Sequence, residues 1–200
     1  MIIRRELKSN SKDQLRGNWG LAIITILVYS LIISIFGYSD SIYNNNIEII
    51  LDLSSLLLSG VLTLGISKFL LNLTKKDSSA KFTDLFSGFN VYFKTLGLNI
   101  LLGIIIGIGT IFLVVPGLIF ALMFSQTFFI LSEDNEKGII QCLSESREMM
   151  IGYKFDYFVL ILSFLGWWLV SALTLGIGAL WVYPYQKLTE ANFYLEIKSK

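Results

Sequence analysis

Residues 96–131 read LGLNILLGIIIGIGTIFLVVPGLIFALMFSQTFFIL, and these 36 consecutive positions contain no charged side chain. A helix rises about 1.5 Å per residue and the hydrocarbon core of a bilayer is about 30 Å thick, so one crossing takes about 20 residues. The run is therefore too long for one crossing and too apolar for a soluble domain. A second uncharged run covers residues 157–186. The pattern predicts an all-α fold, a polytopic transmembrane bundle of helical hairpins.

The composition of the whole chain fits this class, since 54% of its 200 residues are hydrophobic and 16% are charged. There is no histidine, which is the commonest general base and metal ligand. The single cysteine, Cys142, lies beside acidic residues and is interpreted as an inert reduced thiol. A net charge of +1 gives no reason to expect nucleic acid as a partner. We expect no catalytic residue, metal site or cofactor; membrane lipids are the expected partners, with a homo-oligomer or a membrane-protein partner left open.

The apolar segments fit six spans, arranged as three hairpins within one integral membrane domain, residues 1–200. Pro116-Gly117 is predicted to form the turn that divides the longest run, because proline removes a backbone donor and glycine permits a left-handed turn. Gly176 and Gly178 are predicted to form the turn of the last hairpin. The predicted spans are residues 18–37, 49–72, 95–114, 117–132, 155–174 and 178–197, and the cytoplasmic segments are residues 1–16, 73–94 and 133–154.

The positions of the basic residues predict the orientation. Cytoplasmic loops are enriched in Lys and Arg. The three predicted outer connections, near residues 37–48, 114–118 and 174–178, contain none of the 16 basic residues. Both termini are therefore expected in the cytoplasm. A five-span alternative with one long tilted helix would place Lys198 and Lys200 outside, so six spans explain the charge distribution better.

Three glycines flanked by aromatic residues precede the predicted hairpins, at Gly17, Gly88 and Gly152. They suggest three copies of a unit made of a short juxtamembrane helix and a hairpin, although any hairpin needs a turn and an aromatic anchor. Residues 134–150 are predicted to form a helix that either lies along the inner interface or packs on the bundle. Gly103-Ile-Ile-Ile-Gly107 predicts close helix packing, with dimerisation as the alternative.

The candidate site is a polar notch on the sixth predicted span, formed by Pro184, Lys187, Glu190 and Asn192. Lys187 and Glu190 are three residues apart and can pair on one helix face, and Pro184 frees a backbone carbonyl nearby. Charges inside a span are costly, so they indicate either a binding site for a substrate or ion or a structural contact between helices. We favour the structural interpretation of the notch.

Several motifs resemble those of one family. They include Phe86-Ser-Gly-Phe89, Val115-Pro-Gly117, Ser146-Arg-Glu-Met-Met150 and the segment 174–178. Together they resemble an uncharacterised bacterial membrane family, domain of unknown function 975. The sequence departs from the family pattern at Glu136, where the family often has a proline. The resemblance implies a multi-pass protein of the bacterial cytoplasmic membrane, and it implies no activity.

The leading functional hypothesis is a non-enzymatic accessory or regulatory protein in envelope homeostasis, export or self-protection. It rests on the missing catalytic groups and on connecting segments too short to fold as soluble domains. The alternative is a small-solute or lipid transporter or handling protein that uses the polar notch. An intramembrane enzyme is the third class, for which no serine or aspartate stands in a recognisable catalytic setting.

Overall fold

The computed structural model describes residues 3–37, 45–75 and 79–200. All regular secondary structure in these ranges is helical, which confirms the predicted all-α class. Most of the predicted connection between the first two spans lies outside the described residues. In chain order, the elements are α1 (Arg4–Leu15), α2 (Trp19–Gly37), α3 (Asn45–Leu73), a 3-10 helix (Phe82–Val91), α4 (Tyr92–Phe112), α5 (Val114–Met123), α6 (Thr127–Glu133), α7 (Ile139–Met149), α8 (Lys154–Leu162), α9 (Leu165–Leu173) and α10 (Ala179–Lys198).

Four segments of the described chain are long and apolar enough to cross a membrane. A fifth is added if α1 and α2, which are bent by 99° at Arg16–Asn18, form one broken span. α10 is not among them, and it carries four charged residues, at Lys187, Glu190, Glu196 and Lys198. The four segments are Leu53–Leu73, Phe82–Ile111, Val114–Glu133 and Lys154–Leu173.

The outer surface of these helices is rich in large apolar side chains. Ile111 and Leu173 are each 84% exposed, and Leu175 in the last hairpin turn is 95% exposed. Monomeric soluble proteins rarely expose large apolar patches, whereas lipid-facing helices do so along their length. The long apolar helices and this surface are those of a multi-pass membrane protein.

The turn between α4 and α5 differs from the prediction. It lies at Leu113, whose extended backbone has φ −165° and ψ 145°. Pro116 and Gly117 instead belong to the first turn of α5, where proline is tolerated because the N–H groups have no partner within the helix. Gly117 lies against Thr110 of α4, so its missing side chain permits the close approach of the two helices.

Left-handed backbone at glycine forms three of the predicted turns. Gly17 between α1 and α2 has φ 83°, and Gly152 between α7 and α8 has φ 81°. In the last hairpin, α9 ends at Leu173 and α10 begins at Ala179, with Gly176 at φ 87° between them. The chain therefore turns within residues 174–178.

The closest helix packing joins α3 to the 3-10 helix, which lies in a segment predicted as cytoplasmic. A Cβ atom added to Gly65 would overlap the backbone of Leu85, and one added to Gly88 would overlap the backbone of Val61. Gly88 therefore serves packing and not the turn predicted for it.

The glycine pair on α4, Gly103 and Gly107, does not pack closely against another helix of the described chain. Gly103 and Gly107 have no atom within 4 Å of an added Cβ atom. The prediction that this pair packs against another part of the chain is therefore wrong for the described residues. Close packing depends on which glycines face a neighbouring helix, and these two face none.

Two of the candidate spans contain a break, and a serine at each break bonds to the backbone of the preceding turn. Between α5 and α6, the hydroxyl of Ser125 donates to the carbonyl of Leu122 at 2.8 Å. Between α8 and α9, the hydroxyl of Ser163 donates to the carbonyl of Leu160. Each bond lies where two helices of one candidate span meet.

α10 occupies the centre of the structure, where α1, α2, α3 and α9 pack against it. Its side chains at Leu188, Ala191, Phe193 and Tyr194 are fully buried. α7, predicted within residues 134–150, is confirmed as a helix and packs on the bundle through Leu143 and Ser146. The central position of α10 brings its polar residues into contact with several other helices.

Candidate functional site: a buried polar network on α10

The structure brings Lys187 and Glu190 together on one face of α10. Nζ of Lys187 lies 2.8 Å from Oε2 of Glu190, as the three-residue spacing predicts. The side chain of Glu190 is 7% exposed and that of Lys187 is 34% exposed. A carboxylate this deeply buried is costly unless it is paired and hydrogen-bonded.

Two further donors complete the surroundings of Glu190. Nε2 of Gln186 donates to Oε1 at 3.1 Å, and the hydroxyl of Tyr157 on α8 donates to Oε2 at 3.3 Å. Gln186 in turn accepts a hydrogen bond of 2.7 Å from the indole N–H of Trp168 on α9. Tyr157, Trp168, Gln186, Lys187 and Glu190 form what we call the Glu190 network, which joins α8, α9 and α10.

Asn192, predicted as part of the notch, belongs to a different cluster. Its Nδ2 donates to Oγ of Ser11 at 3.0 Å and to Oε1 of Gln14 at 2.7 Å. Nε2 of Gln14 donates back to Oδ1 of Asn192 at 3.0 Å. Two residues along a helix turn the side chain by about 200°, so Asn192 and Glu190 project from opposite faces. Asn192 fixes α1 to α10.

Pro184 is buried inside α10, one turn before Lys187, and its neighbours are aromatic. Nζ of Lys187 lies 5.9 Å from the ring centroid of Tyr183. The ring of Tyr185 packs edge-on against Phe164 with centroids 5.0 Å apart. Lys187 and Glu190 therefore form an ion pair, Pro184 lies between two aromatic residues, and Asn192 contacts α1. The four residues do not form one notch.

A second polar cluster, missed in the sequence, surrounds Glu133 at the end of α6. The hydroxyl of Tyr194 donates to Oε2 of Glu133 at 2.6 Å, and the ammonium of Lys198 pairs with the same oxygen. The adjoining cavity of about 710 Å³ contains both signs of charge, from Lys68, Lys137 and Asp134 among others. Because 65 residues separate Glu133 from Lys198, only the tertiary fold reveals this pair.

Cys142 lies on α7 and is completely buried. Burial raises the pKa of its thiol, since the thiolate would lose its hydration. Within residues 3–37, 45–75 and 79–200, no three Cys, Asp or Glu side chains are grouped so that they could hold a metal ion.

The carboxylate of Glu190 is held by three side chains, those of Tyr157, Gln186 and Lys187. Both carboxylate oxygens accept hydrogen bonds from protein groups, and the charge is balanced by Lys187. The sequence indicated the local pair but missed Tyr157 and Trp168, which lie 33 and 18 residues from their partners. An isolated Tyr or Trp in an apolar run carries no signal of its hydrogen-bond partner.

Comparison with known families gives one result. A family profile described as a protein of unknown function, DUF975, matches residues 1–120 and 108–200, so the two matches together cover the whole chain. Comparison with curated proteins gives no match, and comparison with solved structures gives none either. The resemblance inferred from the motifs is confirmed.

Proposed function

Since the chain belongs to the DUF975 family, whose description assigns no activity, we propose a function from its geometry. We propose a non-enzymatic multi-pass protein of the bacterial cytoplasmic membrane with an accessory or regulatory role in envelope homeostasis, export or self-protection. The Glu190 network carries this proposal. Its buried carboxylate is bonded by side chains of α8 and α10, and Gln186 links it to Trp168 of α9, which supports a structural role for the charge.

We also propose that α10 forms a sixth span and that both termini lie in the cytoplasm. Polar contacts between distant segments support this arrangement, because they join regions predicted to be cytoplasmic. Nζ of Lys94 donates to the carbonyl of Asn135 at 2.6 Å, and Nε2 of Gln14 donates to that of Thr74 at 3.4 Å. Lys198 pairs with Glu133 in the same way. Cationic flanks gathered at one end of a bundle favour one membrane side for all of them.

Cysteine accessibility tests this topology. Because Cys142 is buried, it is first replaced by serine, and a single cysteine is then introduced at Ser199 or at Leu175, both of which are exposed. A membrane-impermeant maleimide should label Leu175→Cys in intact cells, and should label Ser199→Cys only in inside-out vesicles. Labelling of Ser199→Cys in intact cells would favour five spans.

Complementation tests the proposed role against the transporter alternative. One observation supports that alternative, since the side chain of Lys187 is 34% exposed. A strain lacking the gene is tested for survival under osmotic and detergent stress. It is complemented with wild type or with the Lys187→Met/Glu190→Leu variant, and protein abundance is measured in parallel. We expect the variant to restore survival of the strain to the extent that the variant protein is abundant. An abundant variant that fails to complement would favour transport or lipid handling through these residues.

A further inference from the structure

A basic cavity lies between α1, the α8–α9 junction and α10. It has a volume of about 790 Å³ and is lined by Arg4, Lys8, Lys12, Ser163, Trp167 and Tyr185 among others. An adjoining groove of about 290 Å³ shares Lys12, Trp167 and Tyr185 and adds Arg16, Trp19 and Trp181. We call the cavity and the groove together the basic pocket.

Two lysines on one face of α1 contribute charge to the basic pocket, which Arg5 also lines. Lys8 and Lys12 are four residues apart, so their side chains are neighbours on the helix. Nζ of Lys8 donates to the carbonyl of Ser163 at 3.0 Å and lies 4.1 Å from the ring centroid of Phe164. Nζ of Lys12 lies 5.4 Å from the ring of Tyr185. These contacts orient both ammonium groups, but none of them provides a negative charge to balance the positive charges of the lysines.

The nearby carboxylates pair with other residues. Asp156 lies 3.9 Å from Arg4 and Asp13 lies 3.4 Å from Arg16, whereas no ion pair in the described chain includes Lys8 or Lys12. Burial, and then the charge of Lys12, lower the pKa of Lys8. Two adjacent ammonium groups without a counter-charge repel each other, and an anion between them would remove that repulsion.

We propose that the basic pocket binds the phosphate-bearing headgroup of an anionic phospholipid. The ammonium groups of Lys8 and Lys12 contact the phosphate. Trp167 and Trp181, which are 48% and 49% exposed, form an amphipathic wall for the glycerol and the first acyl carbons. The 99° bend between α1 and α2 brings Lys8 and Lys12 against α8, α9 and α10, and clustered lysines attract anionic headgroups.

This proposal rests on the membrane location in the proposed function, and on neither the number of spans nor the accessory role. Purified full-length protein in detergent is titrated with dioleoylphosphatidylglycerol or dioleoylphosphatidylcholine, and bound lipid is counted by native mass spectrometry. The test variant is Lys8→Gln/Lys12→Gln. The matched control, Lys81→Gln/Lys154→Gln, removes the same net charge outside the basic pocket.

We expect the Lys8→Gln/Lys12→Gln variant to weaken phosphatidylglycerol binding at least about tenfold, and the control variant to leave it unchanged. Phosphatidylcholine should bind weakly to all three proteins. Equal loss in both variants, no loss in either, or equal binding of the two lipids to wild type would overturn the proposal. Displacement of the bound lipid by inorganic phosphate in the millimolar range would also overturn it, because the site would then take a soluble anion.

A second measurement covers the case in which the lysine variant does not fold. Brominated phosphatidylglycerol should quench the tryptophan fluorescence of wild type more strongly than brominated phosphatidylcholine. The excess quenching should decrease in Trp167→Phe/Trp181→Phe, which leaves Trp19 as the remaining tryptophan of the basic pocket. The substituted side chains are half-exposed and tolerate the change. Equal quenching by both lipids contradicts the proposal. Complementation and cysteine labelling do not involve the basic pocket, so a negative lipid result is distinguishable from failure of the proposed function.

Discussion

The hydroxyl of Tyr157 lies 3.3 Å from a carboxylate oxygen of Glu190, although 33 residues separate them in the chain. The contact joins α8 to α10, and Lys187 and Gln186 share the same carboxylate. One acidic side chain therefore accepts hydrogen bonds from three other side chains. Removing this side chain should lower the stability of the helical bundle.

Glu190→Ala is expected to lower the free energy of unfolding by about 3 kcal/mol, because it leaves the Lys187 charge and two neutral donors without their acceptor. Thermal denaturation in detergent measures the change. The control is Glu196→Ala on the same helix, where the side chain is 42% exposed and pairs with Lys200. We expect no measurable change for the control, and equal stability of the two variants would contradict a structural role for Glu190.

Gly88→Ala should destabilise the protein by about 1–3 kcal/mol, because the new Cβ atom would overlap the backbone of Val61 and force α3 away from the 3-10 helix. Gly103→Ala is the matched control, since open space surrounds its Cβ position and alanine is the better helix former. The control should be neutral or more stable in the same denaturation assay. A destabilised Gly103→Ala would indicate that α4 packs against a second copy.

Asn192→Ala should loosen the attachment of α1, because Ser11 and Gln14 lose their shared partner on α10. The cost is about 1–3 kcal/mol for a buried polar contact of this kind. Limited trypsin digestion measures it as faster cleavage after Lys12 and Arg16. Asn10→Ala, at an exposed position of α1, should leave the cleavage rate unchanged. Equal rates for both variants would mean that other contacts hold α1 in place.

Cys142 should react very slowly with maleimide in the native protein and rapidly after denaturation. Its side chain is completely buried, and burial raises the pKa of the thiol, which lowers the thiolate population at neutral pH. The control places the thiol at an exposed position of the same helix by combining Cys142→Ser with Ser144→Cys. Rapid labelling of native wild type would show that α7 opens readily.

The features predicted from sequence are those set by local physics. The uncharged run of residues 96–131 requires membrane helices because no soluble surface can be built from it. The turn at Gly176 has a φ of 87°, which glycine adopts more easily than other residues do. Lys187 and Glu190 meet because three residues make nearly one helical turn.

The features that were missed depend on how helices face one another. Pro116 fits both a turn and the first turn of a helix, and the structure uses the second. Gly88 packs closely whereas Gly103 does not, because only Gly88 faces a neighbouring helix. The separation of Asn192 from Glu190 was available from helical periodicity alone, since positions two apart cannot share a face.

The contact between α1 and α10 also limits the order in which the helices can assemble. Ser11 and Asn192 are 181 residues apart, so the ribosome must deliver nearly all of the helices before this contact exists. At bacterial and eukaryotic synthesis rates this takes roughly ten seconds or more. During that interval Leu7 lacks Phe193 and Ile197, with which it is buried in the finished protein. Assembly of the bundle therefore finishes only after translation of the last helix.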